Sequence, residues 1–560
     1  MKTHKSVILT LLLIFTIITL FTLSPSITYS GEINNNGSTS NLKKVKLFSF
    51  TENTDESNNT SSFVSNSVLL KLKKSSVRNL LKDENTEILF QIPTGEDSKL
   101  ELELSRSYPL ADEYELKNKL TSEIQTDKIN HGIHYTGVIK GVPNSMASVS
   151  IFRDFVMAVL SDENGNYVLG SIKNSDNSYS ENYIFYNDAD MKIRNEFNCR
   201  SEEYGEKLVR AMDESKINSQ YNSTGDNPAA RLPVKVYFEA DYQMYLDAGQ
   251  DLELLENFIT GMFNSVMTIY QNESIPFQIS SLAYWPSDDP YRNMDDSYQI
   301  LLNFGANNQD NFQGNLGHLL STRESNLGGI AWIRVLCTEY NSTDSAGRFA
   351  FSNIETSYSN YPAYSWTVNV VTHEMGHSMG SRHTHSCVWP VGGFIGAIDS
   401  CYYAEGNCFN ENQIRARIGT IMSYCHLWTT AQGGGINLAS GFGPLPGDTI
   451  RLRYAQAACL DRLLNSSEAP VIYDLDQNYP NPFNPSTKIR FAIPADGEVS
   501  LKVYDIGGRL ITELVKNNYT PGFYEVVFNT SSYNLSSGMY FYTLESNGRV
   551  IGTKQMVFIK

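Results

Sequence analysis

The sequence predicts a multidomain protein in which a β-rich N-terminal domain, an α/β domain with a mixed sheet and a C-terminal antiparallel β-sandwich follow one another. The chain has 560 residues, enough for about three to five folding units. Short alternating strands dominate residues 85–190, strands and amphipathic helices alternate over 231–465, and strict apolar alternation returns after residue 476. Hydrophobic residues make up 41% of the chain, which excludes a wholly disordered protein.

The charge balance limits the partners. Asp and Glu number 61 against 44 Lys and Arg, so the formal net charge is −17. A strongly acidic chain argues against a nucleic-acid partner, because phosphates favour a basic surface. Beyond the N-terminus no apolar run is long enough to span a bilayer, so no transmembrane span is expected in the mature chain.

Residues 1–30 have the layout of a signal peptide. Lys2 and Lys5 precede an apolar run over residues 7–23, Pro25 follows it, and small residues stand before a predicted cut at Gly31. The apolar run is long, so an uncleaved anchor is the alternative. No cysteine follows it, which argues against a lipoprotein anchor. An exported chain can form disulfide bonds.

The N-terminal region divides into a lead, a domain and a linker. Residues 31–84 are predicted to be a low-complexity lead, because 33–62 are rich in Asn, Ser and Thr. Residues 85–212 form the β-rich domain, with alternating strands at 87–92, 132–139 and 147–151. Residues 213–230 read as a polar linker.

The α/β domain is assigned to residues 231–465. Its apolar spacing predicts strands at 234–240, 275–281 and 329–337, and helices at 252–270, 366–379 and 448–464. The last helix is expected to begin with Asp448 or Thr449 as its cap. A linker over 466–476 then leads to the sandwich at 477–560, whose alternating positions include 489/491/493, 499/501/503, 524/526/528 and 540/542/544.

A metal-binding pattern lies on the helix predicted at 366–379. His373 and His377 are four residues apart, so both imidazoles share one helix face and can reach one ion. Gly380 allows a sharp turn, and His383 supplies a third nitrogen, which leaves one position for water as catalytic zinc requires. Glu374 is free to act as the general base. A bare HExxH arises by chance, but the longer HExxHxxGxxH pattern in an exported chain argues against coincidence.

A second motif, GTIMSY at residues 419–424, resembles the Met-turn of the metzincin metallopeptidases. The resemblance implies that Met422 forms an apolar floor beneath the three histidines. In astacin-like and serralysin-like metzincins a tyrosine at the place of Tyr424 reaches the metal or the oxyanion, so Tyr424 is a candidate catalytic residue. A buried structural tyrosine is the equally open alternative.

The flanks resemble the reprolysin, or adamalysin, branch of the metzincins over about 231–465. This likeness rests on 234–242, the helix after it, LGGIAW at 327–332 and the cysteine pattern. Residues 134–148 (HYTGVIKGVPNSMAS) resemble the reprolysin propeptide, which implies that the β-rich domain at 85–212 is a propeptide and that 31–84 are its lead. Two features depart from that branch: Thr384 stands where Asp usually follows the third histidine, and Met-Ser-Tyr is unusual at the Met-turn.

The resemblance implies a secreted zinc metalloendopeptidase made as a zymogen. One catalytic zinc ion is the expected cofactor and polypeptides are the expected substrates; calcium is compatible with the sequence, which identifies no ligands for it. Residues 329–333 would be a sheet edge that pairs with substrate, and 442–444 (Phe-Gly-Pro) either line the pocket beyond the scissile bond or form a solvent loop. The alternative function is a non-catalytic surface binding protein on the same scaffold.

The last domain resembles the type IX sorting domain of Bacteroidetes-like bacteria. The likeness rests on LDQNYPNPFNP at 475–485, VYDIGGR at 503–509 and SGMY at 537–540. It implies the type IX secretion machinery as a partner and a protein that ends outside the cell or on its surface. A carbohydrate-binding sandwich is the alternative that alternation alone would allow.

Seven cysteines, six of them between residues 337 and 459, suggest three bridges with fifteen connectivities. By resemblance Cys337 pairs with Cys459. Cys401–Cys408 is then a plausible short loop, which leaves Cys387–Cys425. The odd cysteine, Cys199, precedes the linker, and a thiolate can occupy the position that water needs on zinc. It is therefore a candidate cysteine switch, and a spare thiol or an intermolecular bridge is the alternative.

Four other histidines are expected not to be zinc ligands, because three histidines already satisfy a catalytic site. His385 and His426 lie near the motif and are expected at the surface or behind the ligands. His134 and His318 are treated as ordinary residues.

Overall fold

The computed structural model describes residues 42–51, 60–83, 85–192, 199, 201, 232–323, 327–358, 360–391, 394–403, 405–406, 408, 418–428, 434–460, 473–475, 478, 483, 485–530, 533 and 535–558. The predicted signal peptide and the linker at 213–230 lie outside them. In this described part of the chain, no helix combines the length and the apolar character needed to cross a bilayer.

The N-terminal β domain, residues 43–192, contains one helix and eleven strands among its described residues. They are β1 Lys43–Val45, β2 Phe48–Phe50, β3 Ser67–Leu72, α1 Lys74–Leu80, β4 Glu87–Pro93, β5 Lys99–Ser107, β6 Leu110–Asn118, β7 Ile133–Ile139, β8 Met146–Ile151, β9 Val156–Asp162, β10 Gly165–Lys173 and β11 Tyr179–Asn187. Ten strands form one sheet in the order β1-β4-β5-β7-β8-β9-β10-β11-β3-β2. Strand β6 is absent from that sheet, since it pairs elsewhere.

This domain begins earlier than the sequence predicts. Residues 31–84 were expected to be a low-complexity lead, yet β1, β2, β3 and α1 lie within them. Strand β1 pairs with β4, and β3 pairs with both β2 and β11. A few apolar residues, among them Leu47, Phe48 and Leu70, are buried in the core of the sheet domain. Composition did not indicate these strands, because the strands that they pair with are distant in the sequence.

The central α/β domain, residues 232–460, follows. Its strands are β12 Val234–Ala240, β13 Phe277–Tyr284, β14 Leu316–Ser321, β15 Gly329–Ala331, β16 Phe349–Asn353, β17 Ser357–Tyr358, β18 Tyr361–Pro362, β19 Trp389–Val391 and β20 Phe394–Gly396. Its helices are α2 Tyr242–Asp247, α3 Leu252–Asn272, α4 Ser297–Asn308, α5 Tyr364–Ser378 and α6 Pro444–Ala455.

The main sheet of the central domain has six strands in the order β15-β16-β14-β12-β13-β6. Strand β15 is antiparallel to β16, and the other neighbours are parallel, so the sheet is mixed. Its two edges are β15 and β6. The second edge strand therefore comes from the N-terminal region of the chain, which the sequence analysis did not foresee.

Two elements of the central domain differ most from their predicted bounds. The strand expected at 329–337 ends at Ala331, because the chain turns to cap helix α5: the N–H groups of Arg334 and Val335 donate to His377 O and Ser378 O at 2.9 Å. The helix expected at 448–464 starts at Pro444 and ends at Ala455. Proline at the first turn fits helix geometry without needing an N–H, so Asp448 and Thr449 are not its caps.

Helix α3 lies between the two sheets. Residues 255–270 are all buried, including polar ones. One side packs into the central core, where Phe263 contacts Phe238. On the other side the Asn264 amide donates to Tyr135 O at 3.1 Å and Ser148 Oγ at 2.9 Å in the N-terminal β domain. The cores of the two domains therefore merge around this helix.

The C-terminal β domain, residues 473–558, contains only strands among its described elements. They are β21 Asp474–Leu475, β22 Ser486–Ile493, β23 Gly497–Asp505, β24 Leu510–Tyr519, β25 Gly522–Asn529, β26 Gly538–Ser546 and β27 Arg549–Phe558. They form a three-stranded sheet, β21-β22-β25, and a four-stranded sheet, β24-β23-β26-β27, both antiparallel. Side chains from both sheets share one apolar core, the arrangement expected of a sandwich.

Three disulfide bonds lie in the central domain. Cys337 bonds to Cys459, the pair expected by resemblance. The predictions Cys401–Cys408 and Cys387–Cys425 are wrong: the structure pairs Cys387 with Cys408 and Cys401 with Cys425. The short spacing of Cys401 and Cys408 in the sequence favours a bond between them. The bond that forms depends instead on which cysteine Cα atoms the fold places within about 4.4–6.8 Å of each other. Cys199 is free and buried.

Candidate active site

Helix α5 and the turn after it carry the metal-binding motif. Glu374, His373 and His377 are all buried near the end of the helix. Gly380, at φ +104°, takes the chain out of the helix in a conformation that side chains disfavour. His383 then returns to face the two helical histidines.

The three imidazoles converge on one point. The Nε2 atom of His383 lies 3.1 Å from the Nε2 atoms of both His373 and His377. The Cys199 Sγ atom lies 3.6 Å from His377 Nε2, and the four ligand atoms are all within 4.8 Å of one another. A tetrahedral zinc ion, bonded to nitrogen at about 2.0–2.1 Å and to sulfur at about 2.3 Å, would hold its nitrogens about 3.3 Å apart. The donor set and its spacing fit zinc.

The opposite nitrogen of each histidine has a fixed partner. The Nδ1 atoms of His373 and His377 lie 2.7 Å from Ile421 O and 2.9 Å from Ser381 O. The Nδ1 atom of His383 lies 2.8 Å from Glu405 Oε1. Carbonyl and carboxylate oxygens only accept hydrogen bonds, so each Nδ1 carries the proton and each Nε2 presents its lone pair to the centre.

The electrostatics of the site favour neutral imidazoles. Burial, followed by the charge of neighbouring histidines, holds the pKa of His373, His377 and His383 well below the ordinary value of 6.5. Deprotonated imidazole is the form that binds zinc, so these ligands need not lose a proton on metal binding.

Glu374 lies in a dry environment beside the histidines. Burial raises the pKa of this carboxyl well above 4.5, and the nearby Cys199 thiol offsets the rise only in part. Neither oxygen of the Glu374 carboxyl has a hydrogen-bond partner among the described residues. Gly329 on strand β15 makes the space: a Cβ atom there would stand 2.3 Å from Glu374 Oε1. Gly329 is therefore needed for the carboxylate to fit.

The segment 419–424, the predicted Met-turn, lies against helix α5, where Ile421 O is 2.7 Å from His373 Nδ1. Met422 is fully buried, and a Cβ atom on Gly376 of helix α5 would stand 2.7 Å from its Sδ atom. The backbone N–H of Thr384, which follows His383, donates to Met422 O at 3.0 Å, and its hydroxyl lies 3.3 Å from the same oxygen. Thr384 therefore ties the third histidine to the segment 419–424.

The N-terminal region reaches the site at Cys199. Its backbone forms a parallel bridge with Gly329, on the free edge of strand β15. The Tyr424 hydroxyl donates to Cys199 O at 2.9 Å, and its ring lies 4.9 Å from the His383 ring. Burial, then the charge of Glu374, raises the pKa of the Cys199 thiol well above 9.0. The predicted switch residue, zinc ligands, base and tyrosine thus share one buried cluster.

Glu405 is the site residue that the sequence analysis missed. It lies 22 residues beyond His383, its backbone forms an isolated parallel bridge with Ser386, and only the tertiary fold brings it to His383. The Cys387–Cys408 bond closes this loop, and Cys387 N donates to Glu405 O at 2.9 Å. Its nearness in sequence to two cysteines of an exported chain was the only available signal.

Of the remaining candidates, His385 and His426 lie next to this cluster. His385 is buried and stacks on His383 at 4.9 Å, and His426 lies against Trp366 and Tyr424. His134 and His318 are buried, and burial lowers the pKa of each to about 3. Phe442 is fully buried against Tyr270 and helix α5, so it belongs to the core and not to a solvent loop.

Two family models match separate parts of the chain. Residues 232–431 match the model of Metallo-peptidase family M12, a reprolysin model, and residues 477–559 match that of the secretion system C-terminal sorting domain. The chain therefore carries a metallopeptidase domain and a type IX sorting domain, and the latter indicates that it is extracellular or attached to the cell surface. The first family implies a zinc cofactor. No curated protein matches the chain.

Several solved structures are similar over part of the chain. Metalloproteinase-II from Bacteroides fragilis shares 13% identity over 57% of this chain and 89% of its own, with a TM-score of 0.32. OgpA from Akkermansia muciniphila, in complex with an O-glycopeptide substrate, shares 11% identity over 60% of this chain and 95% of its own, with a TM-score of 0.19. Latent PorU from Porphyromonas gingivalis shares 20% identity over 17% of this chain and only 10% of its own, with a TM-score of 0.14. At these TM-scores none of the three bears on the function of this chain.

Proposed function

We propose that the protein is a secreted zinc metalloendopeptidase that is synthesised as a latent precursor. One observation carries the proposal: three histidine Nε2 atoms converge at zinc-binding distances beside a buried glutamate, and a cysteine from the N-terminal region occupies the fourth position. Only the first three are needed for a catalytic centre, so the fourth has to leave before water can enter.

The chemistry follows from these side chains. Zinc bound by His373, His377 and His383 would act as a Lewis acid on the scissile carbonyl and lower the pKa of water at the site. Glu374 is placed to accept the proton of the attacking water and to pass it to the leaving amine. The hydrogen bonds at the three Nδ1 atoms keep the imidazoles oriented throughout.

Tyr424 is proposed to have one role in the latent chain and another in the active enzyme. In the latent chain its hydroxyl donates to Cys199 O. Once that segment leaves, the same hydroxyl is free to donate to the oxygen of the scissile carbonyl as negative charge develops there. Met422 lies under the histidines and keeps the floor of the site apolar.

Strand β15 is proposed to bind the substrate. Its outer edge takes a backbone bridge from Cys199 in the latent chain, so it can accept an extended peptide by strand addition. A substrate held by its main chain has polypeptide on both sides of the scissile bond, which favours endopeptidase activity. The same edge cannot hold Cys199 and a substrate together, so latency and substrate binding compete for one place.

A casein-degradation assay tests the proposal. The processed enzyme should degrade casein, lose the activity on treatment with a chelator, and regain it with zinc. Glu374→Gln should abolish the activity and leave the zinc content unchanged. Degradation that persists after complete zinc removal would refute the proposal, and binding without any degradation would favour a surface binding protein on the same scaffold.

A further inference from the structure

The second edge of the six-stranded sheet is closed by a strand from outside the central domain. Strand β6 runs parallel to β13, with Leu116 opposite Leu282 and Asn118 opposite Tyr284. Backbone bonds extend past the strand, since Ile279 N donates to Pro109 O at 2.7 Å and Lys119 N donates to Tyr284 O at 3.0 Å. The contact therefore spans residues 109–119, with five paired positions and one register shift, against the single bridge at Cys199.

A buried carboxylate lies at the end of this strand. Glu239 on β12 is fully buried, and its two oxygens accept hydrogen bonds from four side chains of the central domain: Tyr237, Trp285, Tyr291 and Asn308. All four donors are neutral, so they do not balance the negative charge of Glu239. Burial raises the pKa of Glu239, but the Lys119 ammonium and these hydrogen bonds outweigh it, so the pKa lies below 4.5 and the group is ionised.

The counter-ion is Lys119, which directly follows β6. Its ammonium lies 2.8 Å from Glu239 Oε2, 2.6 Å from Asn308 Oδ1 and 3.0 Å from Tyr237 Oη. An ammonium group has three N–H donors, and these three oxygens satisfy all of them. The oxygens all belong to the central domain, whereas the cation belongs to the segment that closes its sheet.

We propose that Glu239, Asn308 and Tyr237 form a binding site for a primary ammonium group, which Lys119 supplies. This site and the β13 edge hold the N-terminal β domain on the central domain after the linker at 213–230 has been cut. A cut there leaves β6 and Cys199 on one N-terminal piece that has no covalent link to the central domain, so that only non-covalent contacts such as the pairing of β6 with β13 can hold it. Withdrawal of Lys119 would leave Glu239 buried without a counter-ion, which is strongly unfavourable. This inference goes beyond the proposed function, since it concerns retention of the domain and not the chemistry.

The test uses the full chain with a recognition site for a specific protease placed within residues 213–230. After cutting, gel filtration over a dilution series measures whether the two pieces elute together. The wild-type pieces should co-elute. In Lys119→Met, which keeps the length of the side chain but not the charge, the apparent dissociation constant should rise about 10-fold or more, as for other buried charge pairs.

Two further variants make the test decisive. Lys117→Met changes a half-exposed lysine of the same strand that pairs with Glu115, so it should behave as wild type. Glu239→Gln removes the charge without leaving an unpaired buried carboxylate, and it should weaken association as Lys119→Met does. It also decides the question if Lys119→Met does not fold.

Wild-type pieces that separate as soon as the linker is cut would overturn the proposal. So would Lys119→Met or Glu239→Gln pieces that co-elute as strongly as those of Lys117→Met. Elution does not depend on peptidase activity, so failure of this proposal and failure of the proposed function are separate results.

Discussion

The two edges of the six-stranded sheet are both covered by the N-terminal region, but in different ways. At β15 the cover is one backbone bridge at Cys199, next to the histidines and Glu374. At β13 it is the whole of strand β6, followed by the Lys119–Glu239 ion pair. The first contact is small and lies in the reactive centre, and the second is extensive and lies away from it. Blocking the chemistry needs one correctly placed ligand, whereas holding a domain needs buried surface and a paired charge.

Glu374→Gln is expected to give the largest effect at the β15 edge. The amide keeps the size of the side chain but cannot accept a proton, so the peptide-hydrolysis rate of the processed enzyme should fall about 10³-fold. Zinc content, measured by atomic absorption, should not change. Glu339→Gln, at an exposed position of the central domain, is the control. A near wild-type rate would show that another group is the base.

The Cys199→Ala variant tests whether the thiol itself, and not the bulk of the N-terminal domain, blocks the active site. With the thiol gone, the uncut precursor should become active towards a small peptide or cleave itself, because water can enter the fourth position. Ser201→Ala, which keeps the thiol, is the control. A Cys199→Ala precursor that stays as latent as wild type would mean that the bulk of the N-terminal domain, held at β13, blocks the site by itself.

Glu405→Gln should loosen the metal and leave the domain contacts intact. Loss of the carboxylate that orients His383 should lower zinc affinity about 10–100-fold, measured by competition with a chromophoric chelator. Glu339→Gln, at an exposed position of the central domain, is the control. Equal zinc affinities in the two variants would show that Glu405 does not hold the ligand.

The smallest effect is expected from pH at the contact between His131 and helix α3. Burial lowers the pKa of His131, but its 2.8 Å contact with Glu256 and the charge of that residue outweigh it, so the pKa lies above 6.5. The contribution of protonated His131 to stability is therefore complete below pH 6.5 and is lost as the pH rises through the raised value. We expect less than about 1 kcal/mol.

Thermal unfolding of wild type and His131→Gln between pH 5 and 9 checks this prediction. The difference in melting temperature should be largest at acidic pH and shrink at alkaline pH. A difference that does not vary with pH would assign His131 a packing role only.

Much of the fold could be predicted because the relevant signals are local. Strand β12 begins and ends at the predicted residues, and helices α3 and α5 lie within two residues of their predicted starts and ends. The apolar spacing along a segment indicates which of its faces is buried, whichever element packs on that face. Prediction failed where tertiary contacts decide: β1 and β2 lie in the polar segment 33–62, and β15 is cut short by the turn that caps α5.

The candidate site shows the same division. Spacing alone brought His373 and His377 onto one helix face and placed Gly380 at the turn before His383. The partners of these residues come from distant segments: Glu405 for His383, Gly329 for Glu374 and Cys199 for the fourth position. No local pattern marks such residues, because one hydrogen bond or one close approach leaves no periodicity in the sequence.

The sequence by itself determined the order of the domains, the metal-binding motif and the sorting domain, since each is a pattern of neighbouring residues. The tertiary structure alone decided which cysteines pair, which carboxylate orients His383 and which strand closes the central sheet. A strand's own residues do not specify its neighbour, because backbone hydrogen bonds are alike in every strand. The neighbour of β6 is set by non-local contacts, which include its pairing with β13 and the ion pair of Lys119 with Glu239.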